Sequence, residues 1–190
     1  MGDSIGRDTT HALRIAFPDR NFIMLHQSSC PPGESQKCFK GQRQLLEEIR
    51  EKVSFHAVVL AYRYHPSNFA DVEPGVVEAG KITKNVYLLG VSPMFALPMA
   101  DYVKSLPFRS MPGDAISESD RKMVLWSYEK MRDKAQAIAK RHGAKFVNVL
   151  PFFCDGSACG IWAGGEYGKP LFFDQQHLTP GGASHPTEPS

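Results

Sequence analysis

A Gly2-Asp3-Ser4 turn stands near the start of the chain, and an Asp174-Gln175-Gln176-His177 turn stands near its end. A serine hydroxyl is a weak nucleophile at neutral pH. It needs a base to take its proton and a third group to hold that base in the right tautomer. Asp174 and His177 supply both from one turn, so Ser4, His177 and Asp174 form a candidate nucleophile, base and orienting carboxylate for acyl chemistry. An Asp and a His only three residues apart set this arrangement apart from the hydrolases with a Gly-x-Ser-x-Gly nucleophile elbow, and that elbow is absent around Ser4. Each residue also has a plainer reading. Ser4 is an ordinary turn residue, Asp174 a helix cap ahead of Gln175 and Gln176, and His177 a surface imidazole.

The elements that must position these residues are read from periodicity. Asp8 to Ala16 predicts a short helix ended by Pro18, its amino end directing partial positive charge toward Ser4. Asn21 to Leu25, Ala57 to Ala61, Asn85 to Leu89 and Phe146 to Leu150 are short apolar runs that predict buried parallel strands. Leu45, Leu46 and Ile49 recur at a helical period within Gly41 to Lys52. Pro66 to Gly80 is too broken in its first half for a long helix, and Pro93 to Pro112 reads as a long loop over the site with one helical turn. Val124, Tyr128, Met131, Ala135 and Ile138 form one apolar stripe, stopped by Gly143, and mark the strongest helix. This alternation favours an α/β fold with a parallel sheet covered by helices, and a site at the carboxyl ends of the strands. Ser28, Arg63 and Pro93 follow strand ends on that rim, and Ser4 joins them if a first strand precedes it. The aromatic residues Tyr62, Tyr64, Phe69, Phe95, Tyr102, Phe108 and Trp162 fall in the rim loops. They suit a sugar-binding groove and equally suit packing beneath long loops.

A length of 190 residues suits one domain, and 42% hydrophobic content suffices for its core. The formal net charge of +2 is too small a field to argue for nucleic acid. No apolar run approaches the length of a membrane span, and no signal peptide opens the chain. Cys30 and Cys38 bracket Pro31-Pro32-Gly33, and Cys154 and Cys159 bracket Asp155-Gly156, so a disulfide could close each short loop. Four separate thiols and a zinc site are the alternatives. The cysteine spacings are unlike paired zinc ligands, and His26 alone lies near either pair in sequence. Two local disulfides and an oxidising compartment are the favoured reading, with no metal site.

These residues resemble the SGNH (GDSL-type) hydrolase and acyltransferase superfamily. The likeness is greatest to the SGNH domain that follows the membrane part of acyltransferase-3 family polysaccharide O-acyltransferases. Ser28-Ser29-Cys30-Pro31-Pro32, Val58 to Tyr64, Cys154-Asp155-Gly156 with Cys159, and Asp174 to Gly182 carry the narrower likeness, which covers nearly the whole chain. The resemblance implies a three-layer α/β/α sandwich with a central parallel sheet, flavodoxin-like in plan. It assigns 1–183 to the SGNH domain, lacking its first strand and last helix, and 184–190 to a disordered tail. Among the seven histidines, the resemblance assigns the base to His177, with Asp174 three residues before it.

The activity implied is O-acyl transfer, specifically O-acetyl transfer, onto a cell-surface polysaccharide through a Ser4, His177 and Asp174 acyl-enzyme mechanism. A GDSL-type carbohydrate or lipid esterase is one alternative, and a non-catalytic glycan-binding module is another. No cofactor is expected in this domain. An acetyl-CoA-derived acyl donor arrives through a membrane acyltransferase domain, and the acceptor is a polysaccharide or lipid-linked glycan. The implied location is the periplasmic or extracytoplasmic face, tethered to the inner membrane in the full-length protein. One departure from the family concerns the oxyanion hole. Its glycine and its Gly-x-Asn-Asp asparagine correspond to the neighbourhoods of Ser28 and of Ala61 to Tyr64, which hold neither a Gly nor an Asn; Ser28 and Arg63 are the candidates there. Losing one such donor costs on the order of 100- to 1000-fold in rate.

Overall fold

The structure, a computed structural model, describes residues 1–26, 37–64, 69–95, 98–105, 115–116, 118–154, 159–160, 162–163 and 169–180. For 37–40, 42, 102–103, 105, 115–116, 118–128, 162–163 and 169 only the backbone is described. The helices are α1 (Ser4–Ala16), α2 (Lys37–Arg50), α3 (Val72–Gly80), α4 (Met99–Ser105) and α5 (Glu118–Arg141). The strands are β1 (Val58–Leu60), β2 (Val86–Leu89), β3 (Ala115–Ile116), β4 (Lys145–Val147), β5 (Cys159–Gly160), β6 (Trp162–Ala163) and β7 (Lys169–Pro170). Short 3-10 turns cover Phe69–Asp71 and Leu150–Phe152. Contacts divide the chain into two compact units. The first holds Met1–Arg7, Phe22–Val91 and Glu129–Asn148, and the second holds Asp8–Asn21, Ser92–Tyr128 and Val149–Ser190.

In the first unit β1, β2 and β4 form a parallel sheet, with Val58 opposite Val86, Leu60 opposite Leu88, and Leu89 opposite Val147. Val58 and Leu60, with Val86 and Leu88 opposite them, share one face and are buried, while Val59, Tyr87 and Leu89 on the other face are half-buried. Gly2 extends the ladder with parallel bridges to Ala61 on one side and His26 on the other. The Met1 nitrogen donates to Val59 O at 2.7 Å, Ala61 N–H to Met1 O at 3.1 Å, and Gly2 N–H to Leu25 O at 3.1 Å. Val72, Val76 and Ala79 of α3 are buried, as are Met131, Ala135, Ile138 and Ala139 of α5, so the stripe expected at the end of the long helix is a core face. Gly143 takes the left-handed conformation, φ 69°, that ends this helix, and Ala144 N–H returns to Ala139 O at 2.9 Å.

Two readings from the sequence are corrected here. The segment Asn21 to Leu25 is not a buried strand: Ile23 and Met24 are exposed, and the neighbouring pairing is the single bridge at His26. A strand exists only where a partner lies alongside, and among the described residues the bridge here is to Gly2. The first helix begins at Ser4, not Asp8, because Asp3 caps it.

The second unit has a small core of its own. Phe95, Met99, Cys154, Cys159, Leu171 and Phe172 are buried together, with Leu150, Phe153 and Leu178 packed against them. Phe172 lies edge-on to Phe95 at a centroid distance of 5.0 Å, a favoured aromatic arrangement. A disulfide joins Cys154 to Cys159. Two antiparallel ribbons, β3 with β5 and β6 with β7, carry two residues per strand, too few for any period to announce them. α4 supplies the helical element expected between Pro93 and Pro112.

Candidate active site

Gly2 and Asp3 explain how Ser4 is held. A side-chain carbon on Gly2 would stand 1.8 Å from the Ala61 carbonyl oxygen, a backbone atom, so only glycine fits beside the end of β1. Asp3 is 3% exposed, and both its oxygens are used: Oδ1 accepts Ile5 N–H at 3.0 Å and Oδ2 accepts Arg63 N–H at 2.8 Å. The first bond caps α1; the second ties that cap to the segment after β1. Ser4 is therefore the first residue of α1, where the aligned peptide dipoles concentrate positive potential. Beneath this turn Tyr62 and Tyr64 are buried and meet edge to face. Burial pushes the Tyr62 phenol up, reinforced by Tyr64 and Asp3, while burial and then Asp3 do the same to Tyr64. Both stay neutral, and Tyr64 Oη donates to Leu89 O.

Asp174 and His177 sit on a tight hairpin of the second unit. Thr179 N–H donates to Leu171 O at 2.9 Å, Phe172 and Leu178 form an antiparallel bridge, and Phe173 N–H donates to His177 O at 3.0 Å. Asp174 Oδ1 accepts the N–H groups of Gln176 and His177, both at 2.8 Å, while Oδ2 lies 2.6 Å from His177 Nδ1. One carboxylate thus folds the turn and orients the ring. Burial pushes the Asp174 carboxyl up, but the bonds from the His177 and Gln176 amides, then the imidazole, outweigh it and hold the group below the usual carboxylate range. With Nδ1 donating to Asp174, the imidazole lone pair falls on Nε2, the tautomer a general base requires. The His177 side chain is 15% exposed and the Asp174 side chain 38%. Phe173 stacks on the imidazole, with centroids 5.5 Å apart and planes within 17°.

The remaining candidates are distributed as follows. Ser4 belongs to the first unit, and Asp174 and His177 to the second. Arg63 is exposed, and its backbone N–H is engaged by Asp3. Ser28 and Cys30 lie outside the described residues, as does the side chain of Cys38 in α2, whereas Cys154 and Cys159 are joined as expected. Tyr62, Tyr64 and Phe95 are buried, which corrects the groove reading for these three: they pack the core. Phe69 is half-buried against Tyr64. Phe108 and the side chains of Tyr102 and Trp162 lie outside the described residues. Among the described residues no three His, Cys, Asp or Glu side chains gather as a metal site, and no helix is long and apolar enough to cross a membrane.

Sequence reasoning missed four residues: Asp3, Asp8, Phe173 and Gln176. Asp3 had a legible signal, an Asp directly before a helix. Asp8, whose Oδ2 accepts Leu178 N–H at 3.1 Å across 170 residues, had none.

A parallel sheet with helices, a serine at the head of the first helix and an Asp-x-x-His hairpin define an α/β protein of the SGNH class. The model of the SGNH domain fused to AT3 domains matches residues 1–186, and the chain belongs to that family. Among solved structures it is similar to the periplasmic domain of the lipopolysaccharide acetyltransferase of Salmonella ser. Paratyphi A. The TM-score is 0.70 at 16% sequence identity, covering 97% of this chain and 77% of the other, a likeness of fold. No curated protein matches the chain.

Proposed function

We propose that this chain is the O-acyltransferase domain, specifically O-acetyltransferase, of a system that modifies a cell-surface polysaccharide on the periplasmic side of a membrane. A membrane AT3 domain delivers the acyl group. The observation that carries the reading is the Asp174 and His177 pair: Oδ2 lies 2.6 Å from Nδ1, and a carboxylate at that place favours the tautomer with its lone pair on Nε2. The fusion of this family to AT3 domains supports a membrane partner. The likeness of fold to the Salmonella lipopolysaccharide acetyltransferase periplasmic domain supports the compartment and the reaction class.

The chemistry proceeds in two halves. Ser4 Oγ attacks the donor carbonyl while His177 Nε2 takes its proton; the tetrahedral intermediate collapses, the donor's leaving group departs with that proton, and an acetyl ester remains on Ser4. A sugar hydroxyl then attacks this ester, again losing its proton to His177, and Ser4 recovers it as the acetylated sugar leaves. Asp174 stabilises the imidazolium in both halves without itself being protonated. The positive end of α1 favours negative charge developing beside Ser4. Ser28 and the Arg63 side chain remain the proposed oxyanion donors.

The test supplies a chromogenic acetyl ester as donor and an oligosaccharide as acceptor, with Ser4→Ala as control. Acetylated sugar that depends on Ser4, identified by mass spectrometry, is the expected product. Ser4-dependent acetate release without sugar product selects the esterase. Turnover that ignores Ser4 rejects Ser4 as the nucleophile, and the absence of both products favours a glycan-binding module.

A further inference from the structure

Asp8 is 9% exposed, and a polar side chain so deeply buried is costly unless its hydrogen-bonding groups are used. Its Oδ2 accepts the N–H of Leu178, the residue after the proposed base. The carbonyl of the same peptide unit, His177 O, accepts Phe173 N–H at 3.0 Å. The plane linking His177 to Leu178 is thus gripped at both ends, while His177 N–H is held by Asp174 Oδ1. These three bonds fix the backbone torsions of His177 and with them the direction in which its side chain leaves the hairpin. The Phe173 and Asp174 bonds belong to the hairpin itself; the Asp8 bond joins it to α1, the helix that Ser4 heads four residues earlier.

We propose that Asp8 is a positioning residue: by holding Leu178 N–H it sets the imidazole of His177 for proton transfer, without touching substrate. This rests on the acyl-transfer reading above. The required property is an acceptor oxygen at that place, so charge and placement can be separated. Asp8→Asn keeps the oxygen in position without the carboxylate, and Asp8→Glu keeps the carboxylate but displaces it by one methylene.

Turnover of a chromogenic acetyl ester is measured for the full chain and for Asp8→Ala, Asp8→Glu and Asp8→Asn. Asp8→Ala and Asp8→Glu should lower kcat by roughly 10- to 100-fold with KM within about threefold, as small misplacements of catalytic groups do, and Asp8→Asn should recover most of the loss. Nitrogen NMR of the His177 ring and hydrogen exchange of the Leu178 amide accompany the kinetics. Asp8→Ala and Asp8→Glu should disturb the Nδ1 proton signature and deprotect that amide. Should Asp8→Ala not fold, the Asn and Glu pair carries the comparison. The proposal is overturned if Asp8→Glu matches the wild type, or if Asp8→Asn falls as far as Asp8→Glu. If the wild type shows no Ser4-dependent turnover, the acyl-transfer reading fails separately. The spectroscopic arm then decides the positioning claim alone: an unchanged His177 signature and an unchanged Leu178 amide in Asp8→Glu reject it.

Discussion

Asp174 holds His177 at two points: Oδ2 meets ring Nδ1 at 2.6 Å, and Oδ1 accepts the backbone N–H of the same residue at 2.8 Å. The carboxylate that orients the ring is also the one that folds the turn. Removing it therefore affects both the base and its support.

Ser4→Ala and His177→Ala should each lower acyl turnover by at least about 10⁴-fold, and the double variant should fall little further, because the serine is useless without its base. Asp174→Asn should cost roughly 10³- to 10⁴-fold, since it spoils the tautomer and the stabilisation of the imidazolium while leaving the base present. Single-turnover kinetics on the purified variants check the order. Independent, multiplicative losses from Ser4→Ala and His177→Ala would show that the two do not act as a unit.

The lowered Asp174 carboxyl has a defined consequence for stability. Its folded value lies below the unfolded value of about 3.9, so its contribution is complete above that value and is lost as pH falls through the folded one. The stability difference between the wild type and Asp174→Asn should therefore shrink as pH falls below about 4. Partial exposure of the pair keeps the difference small through solvent screening. Urea unfolding at a series of pH values measures it; a gap that widens toward acid has the wrong sign.

Reduction of Cys154–Cys159 should weaken the small core of the second unit, since both sulfurs lie inside it. Closing so short a loop is worth about 2 kcal/mol by chain entropy, so Cys154→Ser with Cys159→Ser should lose roughly that amount in denaturant unfolding. Mass spectrometry of non-reduced peptides should show this pairing and, from the sequence expectation, Cys30 with Cys38. Crossed pairing would contradict both.

Gly2→Ala should destabilise the chain by about 3 kcal/mol or more, because the added carbon meets a backbone carbonyl that cannot rotate away. Thermal unfolding reads this directly, and an unchanged midpoint would mean that the turn before α1 moves freely away from Ala61.

Local chemistry accounts for the features that were legible in the sequence. Val58–Leu60, Val86–Leu89 and Lys145–Val147 lie in or at the edge of apolar runs, Met131, Ala135 and Ile138 of the predicted stripe are core, and Gly143 stops their helix. Asp174 and His177 meet because residues three apart in one turn are neighbours whatever the rest of the chain does. What could not be read joins distant segments. Nothing near Asp3 announces a bond to Arg63, sixty residues on, and nothing near Asp8 announces Leu178. Asn21 to Leu25 has a strand's composition yet forms no strand, since a ladder depends on a partner that composition does not supply. Tyr62 and Tyr64 look like rim aromatics and are core, because burial is set by what packs over a residue. The sequence by itself determined the candidate residues, the helix and strand periods, and the local Asp174 to His177 geometry. Only the tertiary structure decided which buried carboxylates hold which distant amides, because those bonds exist only once the fold has removed the groups from water and left them each other as partners.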